Sequence, residues 1–116
     1  MATATFRHGK PTMVDHTPGS KVNAGDVVVI NDTPFIAHTD IAANVLGALA
    51  MRGGVYELPK ASGSGTAING GVQVYWDANN SQATTSSSGN KLIGRTTPAG
   101  AADDDTTVMV EHDPQS

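Results

Sequence analysis

Short runs of apolar residues, separated by polar and glycine-rich segments, recur along the chain. In residues 72–76 the side chains of Val72, Val74 and Trp76 fall on one face of an extended chain, and Gln73 and Tyr75 fall on the other. Because side chains alternate between the two faces of a strand, this pattern predicts a β-strand with one face in a core. Residues 77–81 then predict a hairpin turn, since Asn tolerates the left-handed backbone that tight turns require.

A continuous β-branched run, Val27–Ile30, predicts a buried strand, and turn residues at 31–34 make 35–39 its hairpin partner. Short strands separated by turns roughly every 8 to 12 residues are typical of small barrels and sandwiches. The pattern therefore predicts an all-β domain, a small antiparallel β-barrel or sandwich. Its further strands are predicted at residues 55–58, 72–76, 82–85, 91–96 and 107–111.

Residues 40–52 carry two conflicting patterns. Asp40 is of a type that caps helices, and Ile41, Val45 and Leu49 recur at helical spacing. Gly47 in the middle weakens a helix, and a turn at 41–44 followed by a strand at 45–51 is the alternative. These residues by themselves leave helix and strand open.

The first 24 residues are polar, contain two prolines and show no sustained periodicity, which predicts an extended N-terminal arm. Phe6, Met13 and Val14 interrupt the arm and are candidate anchors into a neighbouring surface. An arm that packs back on its own domain is the alternative. The predicted organisation is an arm at 1–24, a folded domain at 25–111 and a frayed tail at 112–116.

The core must be built from few large side chains, since only 38% of the 116 residues are apolar and 4% are aromatic. A chain of this length forms one domain that buries roughly two thirds of its unfolded surface. We expect part of the apolar surface to be completed by other subunits or by a partner. The predicted core anchors are Phe35, Tyr56, Val74, Trp76 and Ile93.

The charge and the residue types argue against several functions. A net charge of −4 with dispersed Lys and Arg argues against nucleic-acid binding, which needs a basic surface. The longest apolar run, at 45–51, is too short to cross a membrane. There is no cysteine, no serine-centred catalytic motif and no histidine cluster, and Asp103–Asp105 lacks the spacing of a calcium loop. We therefore predict no enzyme activity, no metal and no cofactor.

Three segments are most informative when they are taken together: residues 54–60 (GVYELPK), 72–77 (VQVYWD) and 89–94 (GNKLIG). In order and spacing they resemble the capsid cement (decoration) proteins of tailed bacteriophages, small all-β domains that bind the outside of the assembled head. The resemblance runs from about Gly25 to Val110. It implies a turn at 41–44 and a strand at 45–51 in place of a helix.

The resemblance also implies a structural virion protein that binds the major capsid protein on the outer capsid surface, after assembly in the host bacterial cytoplasm. It would stabilise the mature lattice by bridging neighbouring subunits; a homotrimer is favoured and a dimer stays open. The alternative is another all-β virion module, a tail or spike component with a tail or carbohydrate partner. The residues expected to contact the capsid lie in the arm, with the 62–71 loop as a second candidate: Phe6, Arg7, Lys10, Met13 and Val14.

Overall fold

The structure, a computed structural model, describes residues 4–114. All regular structure in this range is β, as predicted, and the range holds no helix long and apolar enough to cross a membrane. The ten strands are β1 Thr5–His8, β2 Thr12–His16, β3 Val27–Ile30, β4 Thr33–Ala37, β5 Gly47–Arg52, β6 Val55–Pro59, β7 Gln73–Asp77, β8 Gln82–Thr84, β9 Lys91–Thr96 and β10 Thr107–His112.

The strands form two antiparallel sheets. One has six strands in the order β1-β6-β10-β9-β7-β8, and the other has four in the order β2-β5-β4-β3. An isolated parallel bridge between Lys60 and Ala83 brings the β8 edge back toward the end of β6, but the ladder does not continue. A closed barrel, one of the two predicted architectures, is therefore absent from the described residues.

The main core lies between the two sheets. Ile36 and Ala50 of the four-stranded sheet join Tyr56, Leu58, Val74, Trp76 and Ile93 of the six-stranded sheet in one buried cluster. Four of the five residues expected as core anchors are thus fully enclosed. The fifth, Phe35, is half-buried in a smaller cluster on the opposite face of the four-stranded sheet.

The run Val27–Ile30 is a strand, but all four of its residues are half-buried. Val27 and Val29 pack on the main core, whereas Val28 and Ile30 pack on the smaller cluster. The run is continuous because both faces of this edge strand meet apolar neighbours. The expectation of full burial was wrong because β3 has a paired neighbour on only one side.

Residues 47–52 form a strand, as the family resemblance implied. β5 pairs with both β2 and β4, which excludes the helical alternative. The glycine that weakens a helix has a packing role here: a Cβ on Gly47 would come within 2.7 Å of the Ile41 side chain. Ile41 is itself buried and covers the outer face of the sheet together with Val22.

The N-terminal segment does not form the predicted arm. β1 pairs with β6 at the edge of the six-stranded sheet, and β2 pairs with β5 at the edge of the four-stranded sheet. The segment thus packs on its own domain, the alternative that the sequence left open. Its strands escaped prediction because β1 is exposed along its whole length and shows no apolar alternation.

The predicted frayed tail begins at His112, yet this residue is the last of β10 and is 1% exposed. Its Nε2 donates a hydrogen bond to the Pro34 carbonyl oxygen at 2.7 Å, which ties β10 to the other sheet. Fraying at this position was therefore a wrong expectation. The last two residues of that predicted tail lie outside the described range.

Candidate partner-binding surfaces

Two surfaces contain the residues that the sequence marked as contacts. The first is the edge-strand corner, which we define as β1, β2 and their connection at residues 9–11. This connection packs against the β5–β6 connection, since a Cβ on Gly9 would come within 2.8 Å of the Gly54 Cα. Because β1 and β2 belong to different sheets, the corner places one edge of each sheet side by side.

Phe6 and Arg7 lie on β1. The Phe6 side chain is 40% exposed, and its ring stands 5.0 Å from the His38 ring and 5.4 Å from the Tyr56 ring, measured between centroids. Arg7 approaches Glu57 at 3.6 Å in an exposed ion pair. Exposed pairs of this kind contribute little to stability, so Arg7 is available to a partner.

The other three predicted contacts follow along the same corner. Lys10 is exposed in the connection, Met13 on β2 is 43% exposed, and Val14 is half-buried. Thr12 pairs with Arg52, an exposed cation of β5 that the sequence analysis did not select. The corner therefore combines exposed apolar side chains with the cations Arg7 and Lys10, and Arg52 of the neighbouring strand β5 lies beside it.

Val45 and Leu46 are the exposed large apolar residues that the sequence analysis missed, at 51% and 65% exposure. They were assigned to a strand, but β5 begins only at Gly47, so both lie in the segment that leads into it. The backbone N–H of Asn44 donates to the Pro18 carbonyl and holds this segment beside the end of β2. Two adjacent apolar residues just before a glycine were the signal that could have marked them.

The second surface is the 62–71 loop, which is fastened by hydrogen bonds to the 101–105 loop. Thr66 Oγ1 lies 2.6 Å from the Gly63 carbonyl oxygen and 2.9 Å from the Asp103 carbonyl oxygen, either of which can accept its one proton. The Ala67 N–H donates to the Asp103 carboxylate at 2.8 Å. Asp103 therefore connects the two loops through its backbone oxygen and its carboxylate. The described residues hold no group of three or more potential metal ligands among His, Cys, Asp and Glu.

The buried side chain of Lys60 forms hydrogen bonds that join the beginning of the 62–71 loop to the 101–105 loop. It is 5% exposed, and its Nζ donates to the carbonyl oxygens of Ala61, Ala102 and Asp105 at 2.6, 3.1 and 2.9 Å. The ammonium group thus occupies a cage of backbone oxygens, with Thr66 Oγ1 at 3.5 Å. Buried charges require such partners, since an unpaired one is costly in a low-dielectric interior.

Four rings from distant parts of the chain meet behind the edge-strand corner. This aromatic cluster consists of Phe6, His38, Tyr56 and His112, with neighbouring centroids 5.0 to 5.8 Å apart. His38 Nε2 and the Tyr56 hydroxyl share a hydrogen bond. An open groove of about 310 Å³ borders the cluster. No local sequence signal could have joined these residues, because each comes from a different segment.

Burial shifts the titration of the cluster. It lowers the pKa of His38 and raises the pKa of Tyr56 to about 12. It also lowers the pKa of His112, although the bond to Pro34 and the charge of Asp113 act in the opposite direction. The two imidazoles and the phenol are accordingly expected to be neutral at physiological pH.

A family model described as phage cement protein matches residues 6–112. The chain belongs to the phage cement protein family. No curated protein and no solved structure matches it. Membership indicates a structural protein associated with the phage capsid, in agreement with the family resemblance and with a role outside catalysis. The match of the cement protein family spans both surfaces, the edge-strand corner and the 62–71 loop.

Proposed function

We propose that this cement protein binds the outer surface of the mature capsid and stabilises the lattice by bridging neighbouring major capsid subunits. The observation that carries the proposal is the edge-strand corner of a chain in the cement family. There Phe6 and Met13 remain exposed, and Lys10 adds a positive charge. Exposed apolar side chains interspersed with cations suit a protein surface as partner.

The stabilisation follows from selective binding. A subunit seated across a junction removes apolar area from water, worth roughly 25 cal/mol per Å². Those contacts exist only when the neighbours stand in their mature arrangement, and a ligand stabilises the state to which it binds more tightly. The shell then resists the outward pressure of packaged DNA without a covalent link.

Attachment is strengthened if the protein is an oligomer. We propose a trimer, by resemblance to proteins of this class, with a dimer as the alternative. Each additional bound subunit turns the next contact into an intramolecular one, so modest single-site affinities become strong attachment. Sedimentation equilibrium of the purified chain measures the subunit number directly.

The decisive experiment compares co-sedimentation of the protein with mature undecorated capsids and with unexpanded precursor shells of the same virus. We expect saturable binding to mature shells alone. Equal binding to both shells would refute selective stabilisation of the mature lattice. Absence of binding to both would refute the capsid proposal and favour a tail or spike partner.

The corner itself is tested by a charge reversal. Lys10→Glu should weaken capsid binding several-fold, whereas Lys21→Glu changes the net charge equally at another exposed loop position and should leave it unchanged. Equal effects of the two variants would assign any loss to net charge and not to the corner. Deletion of residues 2–20 is unsuitable, because it removes two strands from the sheets.

A further inference from the structure

The aromatic cluster contains the buried imidazole of His112, whose second ring nitrogen has no hydrogen-bond acceptor for an added proton within residues 4–114. His112 Nε2 must carry hydrogen, since its partner is the Pro34 carbonyl oxygen, which can only accept. Nδ1 is then the unprotonated nitrogen of the neutral ring. Among the described residues, this atom is the buried side-chain nitrogen or oxygen that lacks a hydrogen-bond partner.

The surroundings of His112 are poor in compensating charge. The Tyr56 ring stands edge-on at 5.8 Å, and Tyr56 in turn bonds His38, a second group that can become positive. A proton on Nδ1 would therefore make His112 a buried cation near His38, which can also become positive. Asp113, the next residue, is the neighbouring carboxylate that would favour this charge.

The two histidines respond differently to acid. The His38–Tyr56 bond survives protonation of His38, because the phenol oxygen can accept from the imidazolium N–H as well as donate to the neutral ring. Protonated His112 has no comparable bond to form, because its buried Nδ1 has no hydrogen-bond acceptor as a partner in the described part of the chain. Protonated His38 would further oppose a charge on His112.

We propose that the aromatic cluster is an acid-sensitive latch, which holds β1 and the seam between the two sheets closed when its histidines are neutral and loosens them when His112 takes up a proton. The position of the cluster between β1 and the two sheets supports this proposal. Phe6 of β1 packs on the rings of His38 and Tyr56, and the His112–Pro34 hydrogen bond joins β10 of one sheet to β4 of the other. If the proposed function holds, acid also loosens the surface that contacts the capsid.

The sign of the pH effect follows from linkage. The unfolded chain binds a proton near the ordinary histidine value of about 6.5, whereas the closed protein resists it until lower pH. Stability is therefore complete above about pH 6.5 and is lost as the pH falls toward the lower value of the folded state. Each resisting histidine raises the unfolding constant by up to about tenfold per pH unit in that window.

The test uses the full-length free protein, so its outcome does not depend on capsid binding. Ring proton resonances of the histidines are followed by NMR from pH 8 to pH 4.5, together with amide-exchange protection of β1 and β10. We expect His112 to take up its proton below pH 6.5, and protection of both strands to fall in the same range. Titration of His112 near pH 6.5, or protection of β1 that persists through the titration, would overturn the latch.

A variant separates titration from packing. In His112→Gln the side-chain amide can still donate to Pro34 but cannot take up a proton, so the pH dependence of the urea midpoint between pH 7 and 5 should shrink. His8→Gln removes an exposed histidine of β1 and should keep the wild-type dependence. If His112→Gln does not fold, the wild-type titration decides. A chain that opens in acid but does not bind capsids would support the latch and refute the proposed function.

Discussion

Replacing Lys60 by Met removes the ammonium group from its cage and retains a chain of similar length. Three carbonyl oxygens lose a charged donor, and a hydrogen bond to a charged group contributes roughly 1.5–3 kcal/mol. The gain from no longer burying the charge offsets several kcal/mol of that loss. Water can also reach part of the cage, because Ala102 and Asp105 are exposed residues.

The net effect of Lys60→Met is therefore a loss of about 2–4 kcal/mol in the free energy of unfolding. At about 4 °C per kcal/mol for a domain of this size, Tm should fall by about 8–16 °C. The single tryptophan, Trp76, lies in the main core, so its fluorescence reports urea unfolding at equilibrium. Amide exchange at Gly63 and Ala67 should also accelerate, since the loops that Lys60 joins would separate.

The matched control is Lys91→Met, which removes an ammonium group from an exposed ion pair with Asp32. It should leave the urea midpoint nearly unchanged, because solvent screens such pairs. A Lys60→Met protein whose stability equals that of the Lys91→Met protein would refute the cage argument. Loss of stability without faster exchange in the two loops would place the effect elsewhere in the fold.

Two further substitutions probe close packing and a buried hydroxyl. Gly94→Ala should lower the free energy of unfolding by about 3 kcal/mol or more, because the new Cβ would overlap the backbone of β10. The control is Gly19→Ala, which places its Cβ in open space and should leave the midpoint of the same urea titration nearly unchanged. Thr96→Val should cost about 1–3 kcal/mol, since the Thr96 hydroxyl donates to the Asn69 carbonyl oxygen and accepts from the Val72 N–H; an unchanged urea midpoint would contradict this.

The elements that the sequence predicts well are those whose burial shows in their own residues. The alternation in 72–76 identified the core face correctly, because Val74 and Trp76 are buried on one side of β7. β1 shows the opposite case: all of its positions are exposed, so nothing in its residues distinguishes it from a loop. Its strand character comes from β6, which supplies the hydrogen-bonding partner.

The sequence allowed individual contact residues of the candidate surfaces to be selected, but it did not show which other residues the fold brings next to them. Phe6, Lys10 and Met13 were selectable because they are apolar or cationic residues in a polar segment, and they do share one corner. Arg52 joins them only through the pairing of β2 with β5. The burial of His112 depends on Pro34, far away along the chain, and no local pattern carries such information.

The pairing of the first two strands has a consequence for the order of folding. Thr5 pairs with Glu57 and Thr12 pairs with Arg52, so β1 and β2 find no partner until β5 and β6 have been synthesised. Closing such long loops costs entropy before any contact compensates for it, which slows folding in β-rich topologies. The segment that carries β1 and β2 is synthesised before its partner strands, and it is therefore expected to join the sheets late and to complete both of them.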